Sequence, residues 1–454
     1  MSRLNVKTHP NYGHTHEGAP AARMNDEQAL RRSVMSCLLW EDEFYEDGEE
    51  ISARIVRLAK TLPPWTVSYM ACQAREQGNL RHVPLLLLSV IAETGRGHRE
   101  VADVVERVIQ RADELTEFLA IHAKRNNVTL DKIKPTLSAQ MKKGLARAFR
   151  KFDEYQLGKY DRAGGIRLRD VLFLCHAKPQ NKAQERLWKR LVQNELEVPD
   201  TWEVALTRGA DKKETFERLL REGRLGYLAL LRNLRNMVQS DCDPDLVKSA
   251  ILARRGGADR VLPFRYTAAA RAAPQFESQL DAALQAAVGE LPVLMGKTVV
   301  LVDVSRSMEW KLSDKSDLTR MDAAGTLASI VNADLRVFTF SDVVLEVPAR
   351  RGMAGVDVIK NSQVHNGTHL FDAVHEINGL VKYDRLIVIT DEQAEPGNYN
   401  IQGRLKTLPN PVGCGYIINV ASAKHGVGYG KWVHVDGFSE SVLRFIAMHE
   451  EKQS

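Results

Sequence analysis

At 454 residues the chain exceeds one ordinary domain, so two or three are expected, and 44% hydrophobic with 27% charged residues is the make-up of a soluble globular protein. No stretch is apolar for long enough to span a bilayer, because the longest, around Val83–Leu88, lies between Arg81 and Glu93; the N-terminus also lacks the apolar core of a secretion signal. Five cysteines (Cys37, Cys72, Cys175, Cys242, Cys414) with no CxxC pair argue against a disulfide or zinc framework and for a reducing cytoplasm, and the net charge of +5 is unevenly spread.

Residues 1–25 are polar, contain Gly and Pro, and carry His9, His14 and His16; a draped or disordered tail is the expectation. Residues 26–288 then read as helical almost throughout. Ile51, Ile55, Leu58 and Leu62, then Val101, Val105 and Val108, then Leu225, Leu228, Leu231 and Leu234 recur at three- and four-residue spacing. Pro63-Pro64, Gly95-Arg96-Gly97, Gly164-Gly165 and Gly256-Gly257 interrupt the pattern, leaving segments of about 10–15 residues. Such lengths suit paired helices stacked as an α-solenoid, with an irregular helical bundle as the alternative.

Within this stretch, residues 141–190 hold 14 Lys and Arg against 5 Asp and Glu, a local charge of +9 that leaves −4 for the remainder. On a helix, Lys143, Arg147, Arg150 and Lys151 share one face, with Leu145, Phe149 and Phe152 opposite. A basic stripe over an apolar one suits a docked helix that offers cations to phosphates. After the Gly164-Gly165 break a second helix is expected, with His176 and Lys178 near its end and Pro179 stopping it. Tyr155 and Tyr160 lie between the cations, where they could stack on unpaired bases. A solvated surface is the competing reading of the same stripe.

The pattern changes at Gly289-Glu-Leu-Pro292, which reads as a linker. Strands are expected at 298–302, 335–340, 385–390, 412–419 and 432–435, and helices at 319–331, 370–381 and 439–449. Alternation of this kind predicts an α/β, doubly wound, mostly parallel sheet covered on both faces. Residues 343–347 follow the second strand after a two-residue turn, so an antiparallel edge hairpin is expected there.

Directly after the first strand comes Asp303-Val-Ser305-Arg-Ser307, with one carboxylate and two hydroxyls at alternate positions. Open α/β sheets bind ligands beyond the C-terminal ends of their strands, and hard divalent cations want about six oxygen ligands. Thr368, in Asn366-Gly-Thr-His369 just before a helix, and Asp391, just after a strand, would supply oxygens from two more loops at the same edge. The competing reading has Ser305, Ser307 and Asp391 merely capping helices. A hydrolase is disfavoured. No GxxxxGK[ST] loop occurs, Asp303 is followed by Ser305 rather than a second Asp, and His365 and His369 read as loop histidines.

The Asp303, Ser305, Ser307, Thr368, Asp391 series resembles the metal-ion-dependent adhesion site of von Willebrand factor A domains, over the C-terminal third of the chain. The resemblance implies that Ser305, Ser307 and Thr368 bind a divalent metal ion directly, while Asp303 and Asp391 set the charge and orient waters. Mg2+ is the first choice, with Mn2+ or Ca2+ as alternatives, and one coordination position stays open for a partner's acidic group.

A helical N-terminal two-thirds joined to such a domain resembles the Ro protein family, whose RNA-binding module is called TROVE, and it looks closest to bacterial members. The segments that carry the likeness are Lys159-Tyr160 with Arg169-Asp170-Val-Leu and His176-Ala-Lys178-Pro179, Leu225–Met237, and Val261-Leu-Pro-Phe-Arg265-Tyr266. The resemblance implies three regions: a tail at 1–25, a helical TROVE domain at 26–290, and a von Willebrand factor A domain at 291–454. It implies a toroid of HEAT-like repeats with a basic central hole that takes single-stranded ends of misfolded RNA. Small noncoding Y-like RNA would bind the outer helical surface through Lys159, Arg162, His176 and Lys178, with help from Lys142, Lys143 and Arg147. Gly164-Gly165 departs from the family pattern, which leaves the local helix start and the alignment at Arg162 open.

The leading expectation is a noncatalytic, cytoplasmic ribonucleoprotein scaffold in RNA quality control or decay, with no membrane contact. An exoribonuclease, or another protein with an acidic docking residue, is an expected partner. The rival is a metal-dependent protein-adhesion module, in which the helices act as a spacer.

Overall fold

The computed structural model describes residues 13–22, 24–35, 47–161, 165–289, 291–312, 318–396, 407–421, 423–437 and 441–451. It divides into two compact units. One runs from Asp26 to Thr215, and the other joins Phe216 onward with the segment 13–22.

The first unit is all helix: α1 (Asp26–Met35), α2 (Gly48–Thr61), α3 (Pro64–Glu76), α4 (His82–Thr94), α5 (Glu100–Val108), α6 (Ala112–Arg125), α7 (Ala139–Phe149), α8 (Glu154–Tyr160), α9 (Leu168–Cys175), α10 (Lys182–Gln193) and α11 (Trp202–Thr207). Its packing follows a rule that the sequence does not spell out. Odd-numbered helices contact the next odd one from α1 through α9, and even-numbered helices the next even one from α2 through α10. Two layers of stacked helical pairs result, which is the construction of a repeat solenoid.

Local chemistry sets the ends of these helices. Pro64 occupies the first turn of α3, where its missing N–H costs nothing. Ser138, Asp153 and Asn181 cap α7, α8 and α10 by accepting backbone N–H groups three residues on. The apolar faces meet in one core that includes Val101, Val105, Leu145, Phe149 and Trp188. Gly144 is a required small residue there, because a Cβ on it would stand 2.6 Å from Val105 Cβ and 2.8 Å from the Ala102 carbonyl oxygen.

The unit boundary falls inside α12 (Lys212–Arg221). Beyond it, α13 (Tyr227–Gln239), α14 (Pro244–Ala253), α15 (Pro263–Ala272) and α16 (Glu277–Val288) belong by contact to the same unit as the sheet. The sheet contains β1 (Leu294–Asp303), β2 (Ala333–Phe340), β3 (Val344–Val347), β4 (Arg385–Thr390), β5 (Cys414–Asn419) and β6 (Val433–Asp436). Its helices are α17 (Arg320–Ser329), α18 (Gly352–Lys360), α19 (Leu370–Leu380) and α20 (Ser441–Glu451). Thr267 and Thr326 hydroxyls meet at 2.8 Å between α15 and α17, and Asp281 of α16 accepts the Met353 N–H at the start of α18 at 2.8 Å.

The strand order is β3-β2-β1-β4-β5-β6, parallel except for the β2–β3 edge hairpin. Every expected strand and the hairpin are present, displaced by at most four residues at an end. α18 is the helix that the apolar pattern does not announce; its sequence Gly-Met-Ala-Gly opens with two glycines, which weaken any helical reading. The order reverses between β1 and β4. That is the switch point where doubly wound sheets open a crevice beyond their strand ends, and it sets Asp303 and Asp391 side by side.

Candidate metal centre and nucleic-acid interface

Asp303, Ser305, Ser307 and Asp391 lie together at this switch point, and with Thr368 all five expected metal-site residues are buried: Asp303, Ser305 and Asp391 at 0% exposure, Ser307 at 3% and Thr368 at 2%. Asp303 Oδ1 accepts the Ser305 N–H at 2.9 Å and Oδ2 accepts the Thr390 hydroxyl at 2.5 Å. Both carboxylate oxygens therefore already serve the protein, which suits a group that orients waters rather than one that binds an ion directly. The Ser305 and Ser307 hydroxyl oxygens stand 3.4 Å apart. That spacing lets both reach one cation of Mg2+ size at about 2.1 Å. The Arg306 N–H donates to the Asn366 carbonyl at 3.1 Å, tying the first loop to the loop that bears Thr368.

The two carboxyl groups of the site influence one another. Burial pushes the Asp303 carboxyl well above the usual carboxylate range, and Asp391 beside it raises it further. Arg320, itself buried, approaches Asp391 Oδ2 at 3.6 Å, and burial lowers its own pKa against the pull of that carboxylate. Asp391 thus faces a buried guanidinium, with the Asp303 carboxyl beside it. The donor set of hydroxyls and carboxylates fits a hard divalent ion. Among the described residues no group of three or more His, Cys, Asp or Glu side chains is placed to hold a metal. This set contains only two such side chains and draws its other oxygens from hydroxyls.

Sequence reasoning passed over two supports of this centre. Thr390 sits in the apolar run of β4 and reads as one more β-branched strand residue. Glu392 follows Asp391 with φ of 60°, a left-handed conformation uncommon outside glycine. Its carboxylate accepts the Val427 and Gly428 N–H groups at 2.7 and 2.6 Å and also pairs with His434. Opposing the cost of burial, Glu392 and Asp436 raise the His434 pKa to about 9. The rim histidines are loop residues, as expected: His365 pairs with Glu309 at 2.7 Å and His369 with Glu395 at 3.2 Å.

In the helical unit the structure sorts the cations of the basic window. Arg147 is taken up by Asp103 and by Glu106 at 3.5 Å, and Lys159 lies 3.7 Å from Glu203. Lys151 donates to the Glu106 and Ile109 carbonyls, and Arg190 pairs with Glu154. Tyr160 lies under Arg111, which also donates to its hydroxyl at 2.8 Å, whereas Tyr155 remains 52% exposed. Arg162 lies outside the described residues.

Lys142, Lys143, His176 and Lys178 form no ion pair among the described residues. His176 and Lys178 lie just past α9 rather than within it, because His176 takes the left-handed conformation that ends the helix. Arg150 pins that turn by donating to the Lys178 carbonyl at 3.1 Å, and its own carbonyl accepts Gln184 of α10 at 3.1 Å. Three elements thus meet around one turn. α10 adds exposed Lys182, Arg186 and Lys189, spaced to share one helix face, and α9 adds Phe173 at 60% exposure. The Lys-x3-Arg-x2-Lys spacing was a readable signal for the α10 stripe. Phe173 was not, since an apolar residue inside a helical motif reads as core.

A stacked helical unit, together with a switch-point crevice lined by hydroxyls and carboxylates, defines a class of protein: a helical-repeat scaffold attached to a von Willebrand factor A-like domain. Residues 188–287 match the family model of the TROVE domain. The fold is similar to that of the RO (RSR) protein of Deinococcus radiodurans in its crystal structure, with a TM-score of 0.56 and 16% identity over 93% of this chain and 99% of that one. No curated protein matches the chain. Residues 188–287 are therefore similar to a TROVE domain, and the chain has a fold similar to that of an RO protein. The matched residues begin in the middle of α10, so His176, Lys178, Lys182 and Arg186 lie N-terminal to them.

Proposed function

We propose that the protein is a noncatalytic RNA-binding scaffold of the Ro type, which holds small structured Y-like RNA on its helical unit and engages single-stranded ends of misfolded RNA. The observation that carries this reading is a set of cations that form no ion pair among the described residues: Lys178, Lys182, Arg186 and Lys189 around the 176–182 turn, with Lys142 and Lys143 on α7. A surface whose positive charge is not neutralised by its own protein attracts a polyanion, and phosphate contacts supply most of the affinity for RNA. The TROVE match and the RO-like fold support the same reading. The test is to sequence the RNA that co-purifies with the wild-type protein and with a His176→Ala/Lys178→Ala variant. Enrichment of one structured species in the first and its loss from the second supports the reading; the same background RNA in both removes it.

The crevice at the switch point is read as a metal-ion-dependent adhesion site, with Ser305, Ser307 and Thr368 holding Mg2+, or Mn2+ or Ca2+, and Asp303 and Asp391 ordering its waters. The ion would supply an electrophilic position for an acidic side chain of a protein partner, for which an exoribonuclease is a fitting class. Adhesion is also the alternative function of the whole chain. A protein partner released by chelation, with no RNA in the purified material, would favour adhesion over the RNA reading. Among the described residues no helix is long and apolar enough to cross a membrane. The reading places the protein in the cytoplasm, in keeping with free thiols at Cys72, Cys175 and Cys414.

A further inference from the structure

On α3, Trp65 is 73% exposed and Tyr69 60% exposed. They stand four residues apart on one helix face, with Cβ atoms about 6 Å from each other. Large rings left in water need an explanation, and their setting narrows it. Between residues 47 and 154 these two are the only exposed large hydrophobic side chains among the described residues, with no Leu, Ile, Val or Met beside them in that class. A protein-docking face joins aromatic to aliphatic surface in a contiguous patch, and the described residues of this window show none.

The loop on one flank of the rings is basic, while on α1 Asp26 accepts the Thr61 hydroxyl at 2.8 Å ahead of α3. The loop from α4 to α5 reads Gly95-Arg96-Gly97-His98-Arg99, and its first glycine lies against the start of α3, where a Cβ on Gly95 would be 3.6 Å from Pro64 Cβ. Arg96, His98 and Arg99 are exposed and form no ion pair among the described residues. Glu93, just before the loop, is already held by Lys60 and Arg125, which leaves Glu100 as the nearby acid in sequence. On the other flank Arg31 donates to Gln73 Oε1 at 2.9 Å, and Gln73 Nε2 donates to the Tyr69 hydroxyl at 2.9 Å. That chain of hydrogen bonds fixes the Tyr69 ring and sets a further cation beside it.

We propose that Trp65 and Tyr69 form a stacking platform for unpaired nucleobases, with Arg96, His98, Arg99 and Arg31 neutralising the flanking phosphates. An exposed Trp65 beside a hydrogen-bonded Tyr69, flanked by cations that form no ion pair among the described residues, matches a single strand, whose bases expose π-faces and whose backbone carries charge. A duplex buries those faces and offers the platform only its phosphates. α3 belongs to the same layer as α7 and α9, so an unpaired extension of an RNA held at the 176–182 turn would run along one helical layer. The proposal deepens the RNA-binding reading and rests on it.

The test uses the full chain and two probes, an oligouridylate of about twelve nucleotides and a blunt RNA hairpin, each titrated by fluorescence anisotropy. Trp65→Leu/Tyr69→Leu is expected to weaken oligouridylate binding about 10–100-fold and leave hairpin binding unchanged, because stacking contributes about 1–3 kcal/mol per base. Trp65→Phe/Tyr69→Phe should retain most of the affinity, which separates lost rings from lost folding. Unchanged oligouridylate affinity in the Leu variant, with hairpin binding intact, overturns the platform alone. Failure of the wild type to bind either probe overturns the RNA-binding reading and the platform with it. A wild-type dimer that the Leu variant dissociates would make the rings a protein interface and also overturn the proposal.

Discussion

Thr390 and Asp303 are joined by a 2.5 Å hydrogen bond from the threonine hydroxyl to the aspartate Oδ2, across the sheet from the last residue of β4 to the last residue of β1. The bond fixes the carboxylate rotamer at the switch point and, with the Ser305 N–H on Oδ1, turns Asp303 into an orienting group. Thr390→Val keeps the shape of the strand and removes only the donor. It is expected to weaken Mg2+ binding, read by isothermal titration calorimetry, about 10–100-fold, the usual effect of losing a group that orients a metal site. Asp303→Ala should abolish binding. Equal Mg2+ affinity in wild type and Asp303→Ala would show that the crevice is no metal centre.

Arg320 and Asp391 supply an independent handle on the same crevice. Removing one partner of a buried pair leaves the other charge uncompensated and costs about 3–5 kcal/mol. Arg320→Met should therefore lower the thermal midpoint in chelator. Millimolar Mg2+ should restore more stability to the variant than it adds to the wild type, since the ion takes over compensation of Asp391. An equal Mg2+ response in the two proteins would separate Asp391 from the ion.

The helical layers can be tested through Gly144, where α7 packs against Ala102 and Val105 of α5. Alanine in a helix is worth about 1 kcal/mol over glycine, but the added methyl would meet Val105 and the Ala102 carbonyl. Overpacking of this kind costs about 1–3 kcal/mol, so Gly144→Ala should leave denaturant stability unchanged or lower. A clear gain would mean that the two helices are not in close contact.

A buried histidine gives the helical unit a pH dependence. His122 is 3% exposed, contacts Ser89 Oγ at 2.9 Å, and has its pKa lowered from 6.5 to about 4, chiefly by burial and then by Arg125. The folded state holds the neutral ring, whereas the unfolded chain protonates near 6.5. The unfolded state thus binds the extra proton, and stability present above pH 6.5 falls as pH drops toward about 4. The full loss is about 3 kcal/mol. His122→Gln should flatten that part of the stability profile, and a variant as acid-sensitive as the wild type would assign the loss elsewhere.

The fold was legible where periodicity is strong. The runs at 298–302 and 385–390 announce central parallel strands because both faces of those strands are buried, and the Ser341-Asp342 turn announces the edge hairpin. The candidate metal-site residues Asp303, Ser305, Ser307 and Asp391 could be proposed because they end or directly follow such strands, whereas Thr368 lies in the loop before α19. The cation assignments were less so. Arg147 and Lys159 look like Lys178 in sequence, yet Asp103 and Glu203, which neutralise them, lie more than forty residues away in the chain. Charge compensation is a tertiary property, and a helical stripe cannot show which of its cations remain unpaired. The odd-with-odd stacking of α1 through α9 is equally invisible, since no strict repeat marks it.

That sorting of cations has a measurable consequence. Lys178→Ala should weaken RNA binding more than Lys159→Ala, because Lys159 already faces Glu203. The comparison needs only a filter-binding assay on a single hairpin. A larger loss with Lys159→Ala would place the interface on α8 instead.

The central claim is that uncompensated cations around the 176–182 turn hold RNA through its phosphates. The most direct measurement is the affinity of a structured RNA hairpin as a function of salt, for wild type and for Lys178→Ala/Lys182→Ala/Lys189→Ala. The account predicts a steep linear fall of log affinity with log salt in the wild type, with the slope shallower by about one for each lysine removed and weaker binding throughout. Identical slopes and affinities in the two proteins would contradict it.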